Sequence, residues 1–172
     1  PGQRALWRPV EMAVDRSARR RFRARAAMTR AIRAVLTTAE YDEVETPILS
    51  KVSGGAEARP FGTSSVAFGD GLVMRVSPEF SLRRLLVGGW ERVFEIGKCF
   101  RNEGWDRTHS PEFTMLELYE AYGDVTTMME RCQTVLRASA EAVAAHTGHS
   151  AGSLPWGNTT INWTQFRTAR FL

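Results

Sequence analysis

The sequence predicts an α+β domain in which an antiparallel β-sheet is flanked by helices. Two observations carry this. Short β-like segments are joined by Gly-rich turns, which suits hairpins and so antiparallel pairing. Two long stretches of helical periodicity bracket them and supply the layers that a sheet needs to bury its apolar face. At 172 residues, 43% apolar and 24% charged, the chain fits one domain or a little more, and its apolar content excludes a disordered polymer. It contains no internal repeat, no Gly-x-Gly-x-x-Gly and no Gly-x-x-x-x-Gly-Lys-Ser/Thr. Neither a dinucleotide-binding fold nor a P-loop is supported.

The elements are expected in this order. Residues 16–39 read as a helix capped by Ser17, with Phe22, Ala26, Met28, Ile32, Val35 and Leu36 at helical spacing. Glu43 to Glu45 alternates as a short strand that Pro47 confines to an edge, because proline donates nothing to a ladder. Residues 53–64 read as a loop in which Gly54 and Gly55 permit close approach of the backbone. A hairpin follows, Val66 to Phe68 and Leu72 to Val76 about a Gly69-Asp70-Gly71 turn. Ser77 caps a helix with Pro78 in its first turn, ending at Gly88-Gly89. Arg92 to Ile96, Cys99 to Glu103 and Phe113 to Tyr122 read as strands. Asp124 caps a second long helix that ends near Gly148, with Met128, Val135, Leu136 and Val143 on its buried face, and the tail turns β-like at Thr159 to Trp163.

Charge is unevenly spread. Residues 1–36 hold ten arginines against Glu11 and Asp15, while the chain as a whole carries only +4. A basic head suits a polyanion such as RNA, and it equally suits a solvated helix face. No run of 18 apolar residues occurs and PGQRALWRPV has no apolar signal core, so neither a membrane span nor a secretory leader is expected. Cys99 and Cys132 make no disulfide framework and read as small buried residues. A reducing cytoplasm is the expected compartment.

Residues 93–122, VFEIGKCFRNEGWDRTHSPEFTMLELYEAY, carry the chemistry. Arg101, Glu103, Glu112, Glu117 and Glu120 sit among Phe, Leu, Met and Tyr, and charges on an apolar sheet need partners or a ligand. Strand alternation puts Arg101 with Glu103 on one face, and Phe113 and Met115 with Glu117 and Tyr119 on one face. If the strands pair, these groups line a common floor. Arg101 could then grip a phosphate, Phe113 stack on a base, and Glu117 beside Tyr119 accept from an ammonium group. An internal ion pair between Arg101 and a glutamate satisfies the same pattern.

FRNEG followed by HSPEFTMLELYEAY closely resembles the second signature motif of class II aminoacyl-tRNA synthetases, and specifically the lysyl-tRNA synthetases. VETP at Val44 to Pro47, GGAEARPF at Gly54 to Phe61 and SPEFSLRRLLVGGWERVFEIG at Ser77 to Gly97 agree, so the resemblance covers about residues 6–145. It implies part of the class II catalytic-domain fold, with motif 1 at about 22–47 and motif 2 at about 93–122. It implies ATP-dependent activation of lysine as lysyl-adenylate and transfer to tRNA(Lys), with Mg²⁺ held largely by phosphates. Carried over by position, Arg101 would contact the α-phosphate, Glu103 the adenine region, His109 the phosphates, and Phe113 would stack on adenine. Glu117 and Tyr119 would grip the lysine ε-ammonium, and Gly55 and Glu79 would lie around the substrate's amino group. Residues of about 16–47 would form a homodimer interface.

The match has departures. The third motif, its preceding metal-binding glutamates and the anticodon-binding barrel are not in these 172 residues, and Ser110 stands where the family usually has Asn. The expectation is a catalytic-domain fragment that binds ATP weakly and turns over poorly by itself. Two alternatives are a paralogue that lysylates a protein lysine on an elongation factor, and a dimeric or RNA-binding remnant without chemistry. His146 and His149 read as ordinary helix-end residues, and Trp90 and Trp105 as core or loop aromatics.

Overall fold

The computed structural model describes residues 7–167. Its elements run α1 (Arg8–Val14), α2 (Arg16–Thr38), β1 (Asp42–Glu43), β2 (Leu49–Ser50), β3 (Gly62–Ser65), β4 (Gly69–Met74), α3 (Glu79–Val87), β5 (Arg92–Phe100), β6 (Glu112–Glu120), α4 (Val125–Thr147), β7 (Leu154–Trp156) and β8 (Thr159–Ile161). They fall into two compact units, residues 1–38 with 124–172, and residues 39–123.

In the first unit the two long helices pack on each other. Their seam is made of small residues: Ala18, Ala24, Ala27 and Leu36 of α2 are buried, as are Val135, Ala140 and Ala144 of α4. The periodicity of larger residues had placed Phe22 in this core, yet it is 47% exposed, because alanines rather than bulky side chains let the helices approach. The start of α2 is also capped one turn-residue earlier than expected. Asp15, not Ser17, is the capping acceptor, and its carboxylate takes the Ser17 N–H at 2.7 Å and the Ser17 hydroxyl at 2.9 Å. The ends of α4 follow the sequence: Asp124 accepts from Thr127 N–H, and Gly148 adopts the left-handed conformation at φ 77°. The tail forms a β7–β8 hairpin.

The second unit holds two three-stranded sheets, ordered β1-β5-β6 and β2-β4-β3. The long β5–β6 pair is antiparallel from Arg92↔Glu120 to Phe100↔Glu112. β5 is one continuous strand that stops at Phe100, where two segments reaching to Glu103 were expected. β1 is an edge strand, as Pro47 requires, but it runs parallel to β5. The hairpin of the other sheet is slipped relative to expectation. Val66 to Phe68 turn, and Gly69-Asp70-Gly71 begin β4. Glycine tolerates a strand end as well as a turn, so the Gly-Asp-Gly signal did not decide between them.

Arg75 joins the two sheets. Its N–H donates to Ile48 O at 2.9 Å and its carbonyl accepts from Phe100 N–H at 3.0 Å. Its side chain, 7% exposed, lies across β5 and pairs with Glu95, 3% exposed, at 2.5 Å. It also donates to Lys98 O at 2.8 Å and to the Thr46 hydroxyl at 2.9 Å, while Thr46 donates to Glu95 at 2.7 Å. A Cβ on Gly97 would fall on the Arg75 guanidinium and within 2.8 Å of Glu95 Oε1. Gly97→Ala is therefore expected to lower stability by about 1–3 kcal/mol, the range for an overfilled interior site. Arg75→Met, which strands the Glu95 carboxylate, should lose about 3–5 kcal/mol. Urea unfolding of both variants checks this, and unchanged midpoints would contradict the role given to the pair.

Candidate active site

The odd-numbered residues of β5 and β6 build one face. Glu95 stands directly opposite Glu117, Gly97 opposite Met115, and Cys99 opposite Phe113. Two carboxylates facing each other across an antiparallel pair repel, so each must be held by other groups. Glu95 is held by Arg75 and Thr46, as described above. Glu117 accepts from the Ser77 hydroxyl at 2.6 Å and from the Tyr119 hydroxyl at 3.1 Å. No buried side-chain nitrogen or oxygen among the described residues lacks a hydrogen-bond partner.

Ser77 is fixed in turn by α3, since its oxygen takes the Glu79 N–H at 3.0 Å. This keeps the expected capping contact although α3 is assigned from Glu79. Gly55, at φ 89°, packs its backbone against these residues; a Cβ there would lie 3.0 Å from Glu79 Cβ and 3.1 Å from Ser77 Oγ. Gly55, Ser77, Glu79, Glu117 and Tyr119 are thus brought together. The Glu79 carboxylate is already engaged by Arg83 at 2.9 Å.

Arg101 and Glu103 lie beyond the end of β5, not on it. They line a cavity of about 220 Å³ with Thr108, His109, Ser110 and Phe113. The Arg101 guanidinium sits over the Phe113 ring, 5.1 Å from its centroid. The expected ion pair between Arg101 and a glutamate does not form among the described residues; the buried cation that pairs with a carboxylate is Arg75. The turn carrying His109 is organised by Asp106. Its carboxylate accepts from the Thr108 and His109 N–H groups at 2.6 and 2.8 Å and pairs with His109 Nδ1 at 2.8 Å. These bonds, the His109 side chain first, hold the Asp106 carboxyl far below its ordinary range. The imidazole's other nitrogen, Nε2, is left for a ligand.

The remaining charges of the segment are structural. Glu120 accepts from Tyr41 at 2.6 Å and pairs with Arg92 at 2.9 Å, and Glu112 pairs with Lys98 at 2.8 Å. Cys99 is buried, and burial pushes its thiol up, which suits an inert packing residue. Cys132 is exposed, contrary to expectation. Trp90 and Trp105 are 45% and 81% exposed, so neither is a core residue. His146 Nδ1 lies 3.1 Å from Ala142 O at the end of α4. Sequence reading missed Arg75, Glu95 and the bond from Ser77 to Glu117. The only available signal was Gly97 amid a strand, a mark of close approach.

Among the described residues no three His, Cys, Asp or Glu side chains gather as metal ligands, and no step below runs through Mg²⁺. No helix among them is long and apolar enough to cross a membrane.

A sheet whose one face carries a phosphate-sized cationic cavity beside a buried carboxylate pocket suits a nucleotide-using ligase of class II type. The family model for tRNA synthetases class II (D, K and N) matches residues 3–169, and the chain belongs to that family. It is 48% identical over 139 residues to the lysylphosphatidylglycerol biosynthesis bifunctional protein LysX of Mycolicibacterium vanbaalenii, covering 81% of this chain and 13% of that protein. It is 46% identical over 147 residues to the lysine–tRNA ligases of Clostridium tetani and Clostridium kluyveri, covering 86% of this chain and 29% of each. The chain therefore spans less than a third of the relatives it matches.

Burial first, and then the Glu117 charge, push the Tyr119 phenol above its ordinary range. A raised folded value means that the proton is held by the fold. The associated stability is present in full below the free phenol value of about 10 and is lost as pH climbs from there toward the folded value. Ultraviolet titration should show Tyr119 ionising after Tyr122, and Glu117→Gln should bring it earlier. Simultaneous ionisation of the two would contradict the pairing.

Proposed function

We propose that the chain is the lysine- and ATP-binding portion of a lysine-activating ligase, a lysine–tRNA ligase in the first instance. The observation that carries the reading is Glu117. It is a half-buried carboxylate fixed by Ser77 and Tyr119, on the same sheet face as Phe113 and beside the Arg101 cavity.

In this reading the lysine carboxylate attacks the α-phosphorus of ATP. A carboxyl O–P bond forms, the bond to pyrophosphate breaks, and lysyl-adenylate results. Arg101 stabilises negative charge growing on the α-phosphate, Phe113 and Glu103 hold the adenine end, and His109 meets the phosphates through Nε2. Glu117 and Tyr119 hold the ε-ammonium, while Gly55 and Glu79 bound the α-amino end. No side-chain nucleophile is required, because catalysis rests on aligning two reactants. A ribose hydroxyl at the 3′ end of tRNA(Lys) then attacks the activated carbonyl and AMP leaves. Mg²⁺ would neutralise the phosphate charge when bound. The protein would work as a homodimer through residues of about 16–47, in the cytoplasm.

Specificity follows from what is left unpaired. A neutral amino acid would leave Glu117 facing an apolar group in a half-buried pocket, which costs more than a missing attraction. A second reading is favoured by the similarity to proteins named for lysylphosphatidylglycerol biosynthesis. There the same activation site would sit within a bifunctional protein.

In the complete protein that contains this chain, Glu117→Gln should cut kcat/KM for lysine about 100-fold in lysine-dependent ATP–pyrophosphate exchange. The KM for ATP should change little. Exchange equal to the parent protein's would remove the assignment.

A further inference from the structure

Helix α2 carries eight arginines and no acidic residue. Four of them, Arg16, Arg19, Arg20 and Arg23, follow helical spacing on its first two turns. They line an open cleft of about 430 Å³ whose opposite wall is Ala145 and His146, at the end of α4. None of the four has an ion-pair partner among the described residues. The nearest acid in sequence, Asp15, is committed to Ser17.

This arrangement is unfavourable for the helix alone. Like charges three and four residues apart repel, and cations in a first turn oppose the helix dipole. A polyanion laid in the cleft would reverse both effects. The guanidinium groups rise along the helix by about 5 Å per turn. They therefore form a ladder along which several phosphates of one strand can be gripped, each by a planar fork matched to two phosphate oxygens. The concave shape separates the possible anions. An extended phosphodiester strand can enter a cleft between two helix ends, whereas the flat surface of an anionic bilayer cannot.

We propose that the Arg16–Arg23 cleft is a docking surface for the phosphodiester backbone of RNA. It reads charge and not sequence, since none of its walls offers a group suited to base edges. The proposal deepens the partner named in the lysine–tRNA ligase reading and lies in the unit that does not contain Glu117. In that setting it would hold the substrate RNA while the acceptor end reaches the adenylate.

The test uses the 172-residue chain, a short mixed-sequence single-stranded RNA and a tRNA transcript, with binding followed across a salt series. The parent should bind both, with an affinity that falls steeply with salt. The Arg19→Gln, Arg20→Gln, Arg23→Gln triple variant should bind at least about tenfold more weakly at low salt. Its slope of log K against log salt should flatten by about 2 for the single strand, at about 0.7 per lost phosphate contact. The corresponding Arg→Lys triple should keep most of the slope, and Arg30→Gln, on the same helix outside the cleft, should stay near the parent. A Gln triple indistinguishable from the parent overturns the proposal. So does an effect of Arg30→Gln as large as that of Arg20→Gln, or loss of binding to phosphatidylglycerol vesicles with RNA binding intact. Lysine-dependent exchange is measured without RNA, so failure of the Glu117 reading and failure of this one are seen separately.

Discussion

The buried pair of Arg75 and Glu95 is the constraint on which the site depends. Burying two charges is favourable only when every donor and acceptor is met, and here Thr46 and the Lys98 carbonyl complete the set. The pair ties four separate stretches together: the exit of β1, the end of β4, and two positions of β5. Because the Arg75 backbone also bonds to Ile48 and Phe100, it sets how the two sheets meet. Ser77, two residues on, is thereby delivered to Glu117.

That arrangement explains why the face tolerates two glutamates in register. Glu95 is neutralised by an internal cation, so its charge is spent within the fold. Glu117 receives only neutral hydroxyl donors, from Ser77 and Tyr119, and keeps its negative charge available. The same face thus separates a structural carboxylate from one suited to a cationic ligand. A glycine at position 97 is the geometric condition, since Arg75 occupies the space where a side chain would stand.

Much of this was legible in the sequence wherever the signal was local. Asp124 and Gly148 bound α4 through contacts within a few residues, and Pro47 marked an edge strand. The site residues clustered along one segment because strand alternation fixes which side chains share a face. What escaped was set by distance along the chain or by competing local acceptors. Nothing near Arg75 announces a partner twenty residues away, so Arg101 was the only cation considered for pairing. Asp15 outcompeted Ser17 as cap because a carboxylate accepts better than a hydroxyl. The basic head, ambiguous between an RNA surface and a solvated face, gained meaning only when four of its arginines were seen around one cleft.

Family membership rests on residues 3–169, while the activity proposed for the whole rests on one pocket and one cavity. The most direct measurement is a crystal structure of the complete protein with a non-hydrolysable lysyl-adenylate analogue. The account predicts the ε-ammonium within hydrogen-bond distance of the Glu117 carboxylate and the Tyr119 hydroxyl, the adenine on Phe113, and the phosphate mimic at Arg101. An analogue bound with its amino-acid end away from Glu117 would contradict it.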